Sequence, residues 1–201
     1  MSVTPVEQKR LLVIGCGRSG TQWLSELMKD HGLDIGHEHM GNDGVVGWQW
    51  AAPRRWHNHG WRLDYRFDHI WHLVRHPLGA IASMTTHQRR TLDWMEDVLG
   101  VDRGLEKVAR CARLWVLWNR FCAQQAERTV HIERAACCGG TYEDICRWLG
   151  LRERELVRHR GYSRNSRPHR ELTWDQLATE ASEWALRVRA DAAHYGYGDD
   201  E

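Results

Sequence analysis

The chain has 201 residues, enough for one sizeable core and short for two, so a single domain over 1–201 is expected. Its 28 Lys and Arg against 27 Asp and Glu leave a formal net charge of +1, which excludes a bulk electrostatic affinity for nucleic acid or an anionic membrane and makes any anion site local. No apolar run nears the roughly 20 residues a membrane span needs, and the polar opening MSVTPVEQKR carries no apolar signal region, so the expected location is cytoplasmic.

The first element is the run Leu11, Leu12, Val13, Ile14, which enters a turn with Gly15, Gly17 and Gly20 and is followed at once by a helical pattern. Strand, glycine loop and helix in that order leave backbone N–H groups facing outward at a helix N-terminus, where the dipole also favours negative charge. A phosphate cradle is expected there, with glycine allowing both the sharp turn and the close approach of an anion. Gly15, Gly17 and Gly20 satisfy G-x-G-x-x-G, and the acidic Glu38 follows about 20 residues on, as in a dinucleotide-binding fold. The Gly15 to Gly20 spacing also opens a Walker A loop, but Thr21 stands where the lysine belongs, which speaks against an ordinary nucleoside triphosphatase.

Residues 21–31 predict a helix, with Trp23, Leu24, Leu27, Met28 and His31 at helical spacing and Gly32 as the cap. Trp23 reads either as a core aromatic or as a flat stacking face. The tripeptide LDI at 33–35 is a short candidate strand. The glycine-rich stretch GHEHMGNDGVVG after it is expected as a loop at the carboxyl edge of a parallel sheet, where open α/β folds place ligands. His37, Glu38 and His39 are the acid/base candidates there, a solvated loop tip being the alternative. In an extended chain, alternation would point Glu38 away from both histidines.

Between 48 and 61 the chain carries Trp48, Trp50, Trp56 and Trp61 beside Arg54, Arg55, His57 and His59, without periodicity. The indoles either wall an acceptor site for ring or sugar faces or pin a long loop to the domain. The His-x-His pairs at 37/39 and 57/59 have metal-ligand chemistry, but no metal is expected, because the reaction inferred below needs none.

Residues 70–74 predict a further strand that delivers Arg75 at its carboxyl end, with Pro77 suited to the first turn of the next helix. A planar guanidinium there suits bidentate phosphate binding, an exposed salt bridge being the alternative. Residues 102–127 give the longest helical pattern, with Leu105, Val108, Ala112, Trp115, Trp118 and Cys122 on one face. TVHI at 129–132 predicts a strand, and 141–149 a helix with Thr141 at its N-cap. The basic stretch at 158–170 lacks helical periodicity and reads as a solvated loop or as a flap over a phosphate. Thr173 and Gln176 form a capping box opening a helical region to about Tyr195, with Gly196 past its end. The six cysteines include no C-x-x-C pair and are expected as small apolar residues or loop thiols, Cys111 and Cys122 sharing a helix face. Alternating strands and helices predict an α/β fold in three layers: a mostly parallel sheet with helices on both faces and a P-loop-like phosphate-binding loop.

Two segments resemble a known family. GRSGTQW resembles the phosphosulfate-binding loop of sulfotransferases that use 3′-phosphoadenosine 5′-phosphosulfate: Lys or Arg, then Ser-Gly-Thr, often with Trp two further on. WHLVRHPLGAIASM is similar to the family's 3′-phosphate motif, in which a strand ends in Arg, x-Pro follows, and Ser stands eight positions after the Arg, matching Arg75, Pro77 and Ser83. More loosely, TYEDICRWLGL and HYGY look like the family's late helix and its C-terminal ending.

The resemblance implies transfer of a sulfonate group from that donor to a hydroxyl or amine of a small acceptor, ring- or sugar-containing in one reading, with adenosine 3′,5′-bisphosphate released. From the near-zero net charge and the lack of a long apolar run, no nucleic-acid or membrane partner is expected. Gly17, Arg18, Ser19, Gly20, Thr21 and Gln22 would hold the 5′-phosphate side, and Trp23 would stack on the adenine. Arg75 and Ser83 would bind the 3′-phosphate, joined by Arg164 and Arg167 of the late basic loop. Arg18 would neutralise the departing phosphate; well-known cytosolic members carry Lys there, and a guanidinium stabilises charge rather than donating a proton. The family's base is a glutamate or a histidine, which makes Glu38 the first candidate and His37 its rival. Two other classes remain open, an NAD(P)-binding oxidoreductase using Gly15, Gly17 and Gly20, and a nucleotide-binding regulator without catalysis.

Overall fold

The computed structural model describes residues 7–53, 65–137, 139–150 and 168–198. Five parallel strands form one sheet in the order β2 (Ile35–His37), β3 (Gly44–Val46), β1 (Glu7–Gly15), β4 (Tyr65–Val74), β5 (Arg128–His131). A strand paired on both edges and covered on both faces needs an unbroken apolar run, and the four residues from Leu11 to Ile14 are all completely buried. Because successive side chains alternate, they feed two separate cores: Leu12 and Ile14 enter one cluster, Leu11 and Val13 the other.

Helices close both clusters. α1 (Thr21–Asp30), α5 (Ile132–Cys137) and α6 (Gly139–Trp148) supply the second. The first is built from α2 (Pro77–Met84), α3 (Arg89–Leu99), α4 (Lys107–Ala123), α7 (Trp174–Glu180) and α8 (Ser182–His194). The α/β character, the parallel sheet and the helices on both faces thus follow the sequence expectation. Cys111 and Cys122 are both buried in the first cluster, as their shared face implied.

Several boundaries differ for identifiable reasons. The glycine-rich stretch expected as a loop contains β3, and β2 begins at Ile35 rather than two residues earlier. Gly44 makes that pairing possible: its φ is +148°, and a Cβ there would stand 1.8 Å from the Leu11 carbonyl oxygen. The long helix expected over 102–127 starts only at Lys107, because Arg113 holds the Asp102 carbonyl at 2.5 Å and keeps the preceding chain as a loop. The helix expected over 173–195 is two helices, broken at Ala181, whose N–H bonds Leu177 and whose carbonyl accepts from Trp184. Thr141 lies inside α6 rather than at its cap, since that helix begins at Gly139. Thr173 and Gln176 do form both arms of a capping box.

Charge is buried where α3 meets α4. Glu96 is completely buried and ion-pairs with Arg110 and Arg113, each at 2.5 Å, and Arg110 also holds Asp93 at 2.5 Å. Two guanidinium groups on one carboxylate, with further acceptors around them, satisfy the geometry that a buried ion pair requires.

A second buried polar group lies on β4. His72 is completely buried, its Nε2 3.0 Å from Asn119 Oδ1 of α4, and burial pushes its pKa from the ordinary 6.5 down to about 4. The unfolded imidazole therefore takes up a proton first as pH falls, so the stability present above pH 6.5 should be lost progressively toward pH 4. In urea titrations across that window, His72→Gln, which does not titrate, is expected to show a flatter dependence of stability on pH than the parent chain.

Candidate functional site

All five strands run the same way, so their carboxyl ends share one edge. Around β1 the chain reverses its course, with β2 and β3 to one side and β4 and β5 to the other, which is where open α/β sheets form a ligand crevice. Gly15 ends β1 directly opposite Leu73, and a Cβ there would lie 2.4 Å from the Leu73 oxygen, so glycine alone lets the strands finish this close. Past it, Arg18 (φ 69°) and Gly20 (φ 87°) take left-handed backbone on either side of Ser19, whose own N–H is bonded to the Cys16 carbonyl at 3.2 Å.

α1 opens without a side-chain cap, and its first internal bond runs from the Leu24 N–H to the Gly20 oxygen at 3.0 Å. The N–H groups of Gly20, Thr21, Gln22 and Trp23 thus have no acceptor among the described residues. The completely buried Ser19 hydroxyl has none among them either. Cys16 is not reactive: its Sγ sits 3.5 Å from Met84 Sδ, and burial raises its pKa far above the ordinary thiol value.

β4 brings the second cation to this loop. Arg75 donates from one terminal nitrogen to the Arg18 carbonyl at 3.1 Å, and Arg18 Nε donates to Ser83 Oγ of α2 at 2.8 Å. Three residues singled out from two separate motifs therefore form one bonded cluster, with Ser83 almost fully buried against Arg18. Gly79, in the first turn of α2, lies beside the Arg75 guanidinium, where a Cβ would stand 3.4 Å from it, at ordinary contact distance.

The far wall comes from β2 and β3. His37 Nε2 lies 3.1 Å from the Thr21 hydroxyl, so it touches the first turn of α1. Glu38 is not extended: its φ is 61°, and its Oε1 comes within 4.0 Å of His37 Nε2. The alternation that would have separated Glu38 from His37 is overturned by this one backbone angle. Trp48 Nε1 donates to Glu38 Oε1 at 3.1 Å, and Trp50 Nε1 to the Glu38 carbonyl at 3.4 Å. Both indoles are buried, Trp50 to 1% exposure, and Trp48 packs against Trp94 and Trp118. Of the two readings of these tryptophans, pinning the segment is what Trp48 and Trp50 do, and they also orient Glu38. Burial lowers the His37 pKa, with Glu38 pulling it partly back, so the ring is neutral near pH 7. His39 is exposed, Trp23 is half-buried against the second core, and the Gln22 amide bonds Glu26 at 3.2 Å.

Arg18 and Glu38 are the two non-glycine residues with left-handed backbone among the described residues, and both stand in this site. Strain of that kind, costing on the order of 1–3 kcal/mol per residue, collects where function holds it in place.

A scan against protein-family models and a search of the curated proteins each returned no match. Arg54, Arg55, Trp56, His57, His59, Trp61, Cys138, Arg164 and Arg167 lie outside the described residues. Among the described residues no group of three His, Cys, Asp or Glu side chains is placed to hold a metal ion, and no helix is long and apolar enough to cross a membrane. Sequence reading missed the hold of Trp48 on Glu38 and the place of Gly79 under Arg75. Neither leaves a signal in spacing, because each depends on which elements the sheet makes neighbours.

The loop geometry has a measurable cost structure. Gly20 and Gly32 share left-handed φ values of 87° and 91°, but a Cβ at Gly20 would meet Ile132 Cγ1 at 2.8 Å, whereas Gly32 has nothing within 4 Å. Gly32→Ala should lose about 1 kcal/mol from backbone conformation alone. Gly20→Ala should lose more, read as a larger fall in the urea midpoint.

Proposed function

We propose that this chain is a sulfotransferase that moves a sulfonate group from 3′-phosphoadenosine 5′-phosphosulfate to a hydroxyl or amine of a small acceptor. One observation carries the reading. An uncapped helix N-terminus with unpaired N–H groups adjoins Arg18 and Arg75, and a carboxylate, Glu38, stands across the same sheet edge. Donors and cations suit a bisphosphorylated donor, the dipole of α1 adds to them, and the carboxylate suits a proton acceptor.

In the proposed reaction the acceptor oxygen or nitrogen attacks sulfur in line with the bond to the 5′-phosphate. That S–O bond breaks, its electron pair stays on the leaving phosphate oxygen, and the acceptor's proton passes to Glu38. Charge grows on the leaving oxygen and the sulfonyl oxygens, where Arg18 and the loop N–H groups would stabilise it. Arg75 would hold the 3′-phosphate. Trp48 occupies one oxygen of Glu38, which leaves the other to receive the proton. His37 is the weaker base candidate because its Nε2 is already engaged with Thr21.

The strand order speaks against the dinucleotide alternative. In that fold the second strand lies beside the first, so that its terminal acid reaches a ribose bound over the first loop. Here β3 lies between β2 and β1, so the strand order differs from that fold.

Adenosine 3′,5′-bisphosphate is therefore expected to raise the melting temperature, by the equivalent of about 2.7 kcal/mol at 100 times its Kd. NAD should leave it unchanged; a shift with NAD and none with the bisphosphate would transfer the assignment to the oxidoreductase class. With an acceptor found by library screening, Glu38→Gln should lower kcat by about 10²–10⁴ while bisphosphate affinity is retained. Near-normal turnover in that variant would remove Glu38 from the role.

A further inference from the structure

The turn after β4 that presents Arg75 is fastened by residues that belong to neither motif. Glu133, in the first turn of α5, spends both carboxylate oxygens: Oε1 accepts from the His76 backbone N–H at 2.9 Å, and Oε2 accepts from the Tyr197 hydroxyl at 2.8 Å. The His76 ring packs edge-on against Tyr197 at 5.4 Å and against Trp174 at 6.1 Å. Tyr197 in turn sits on the His131 ring at 5.3 Å. The turn that carries Tyr197 is itself tied to the end of β5 and the start of α5: His131 Nε2 bonds the Tyr195 carbonyl, and Arg134 donates to the Gly196 carbonyl at 3.1 Å.

These contacts hold the peptide between Arg75 and Pro77, not the arginine head. A backbone N–H given to a carboxylate is a charge-assisted bond, stronger than the neutral contacts a turn usually makes. The Tyr197 hydroxyl then fixes which way that carboxylate faces. The long Arg75 side chain starts from a backbone that cannot shift without breaking this bond, and its reach to the Arg18 carbonyl follows from that fixed origin.

We propose that Glu133 and Tyr197 are positioning residues for Arg75 and set the site's preference for a 3′-phosphorylated nucleotide; this rests on the sulfonate-donor reading above. Calorimetric Kd values of the full chain for adenosine 3′,5′-bisphosphate and for adenosine 5′-monophosphate, which differ only in the 3′-phosphate, give that preference as a ratio. Tyr197→Phe, which keeps the ring and removes only the hydroxyl, should reduce the ratio about threefold to tenfold, almost entirely through the bisphosphate. Glu133→Ala should reduce it further; if that chain does not fold, the phenylalanine variant decides alone.

Arg75→Ala should abolish the ratio, and adding Tyr197→Phe to it should change nothing more, which is the coupling expected when one residue acts through another. A merely structural role would lower both affinities together and leave the ratio intact in Tyr197→Phe, and that result overturns the inference while sparing the donor reading. A parent chain that shows no preference at all overturns the donor reading and the inference with it.

Discussion

The close approach of β1 to β4 governs the arrangement at the sheet edge. Gly15 pairs with Leu73 at the carboxyl end, and the missing Cβ lets the two backbones finish side by side. Two residues beyond Leu73 comes Arg75, and three beyond Gly15 comes Arg18, so the shared register hands both guanidinium groups to the same corner. Shifting the register by one residue would break this and would also exchange the two faces of β1, sending Leu12 and Ile14 into the wrong core. The apolar alternation of β1 and the placement of the cations are thus set by one pairing.

That corner has a polarity which the whole-chain charge conceals. With a formal net charge of +1, nothing about the molecule as a whole attracts an anion. The local positive character comes from orientation: an uncapped helix start and two arginines from different elements beside a loop with left-handed backbone at Arg18 and Gly20. Such groups act over short range, within a Debye length of about 8–10 Å. Glu38 follows β2, which β3 separates from β1 and its loop.

How far the sequence revealed this depended on whether a feature was local. The four apolar residues of β1 followed by glycines, Arg75 at a strand end before Pro77, and the reciprocal capping of Thr173 and Gln176 all lie within a few residues, and each has the structure its pattern implies. β3 was not legible, because three residues led by a glycine carry no periodicity and become a strand only through pairing with β1 and β2. The backbone turn at Glu38 was hidden for the same reason: the Val46 carbonyl fixes its N–H at 3.0 Å and buried indoles grip it from β3's side. The bond between Glu133 and Tyr197 was out of reach of any motif, although HYGY contains Tyr197, since 64 positions separate the two and only the fold makes them neighbours.

The contact between Thr21 and His37 links the two walls and constrains the proton arrangement between them. Burial keeps His37 neutral near pH 7, so just one of its ring nitrogens carries hydrogen. Thr21 stands in the first turn of α1, where an anion on the loop would accept its hydroxyl hydrogen. The hydroxyl can give that hydrogen away only if its oxygen receives one from His37 Nε2, which selects the tautomer with Nδ1 bare. In the empty site the reverse arrangement is equally allowed, with Thr21 donating to Nε2. An anion on the loop would thus be felt at His37 without any movement of the chain, as a change in which ring nitrogen holds the proton.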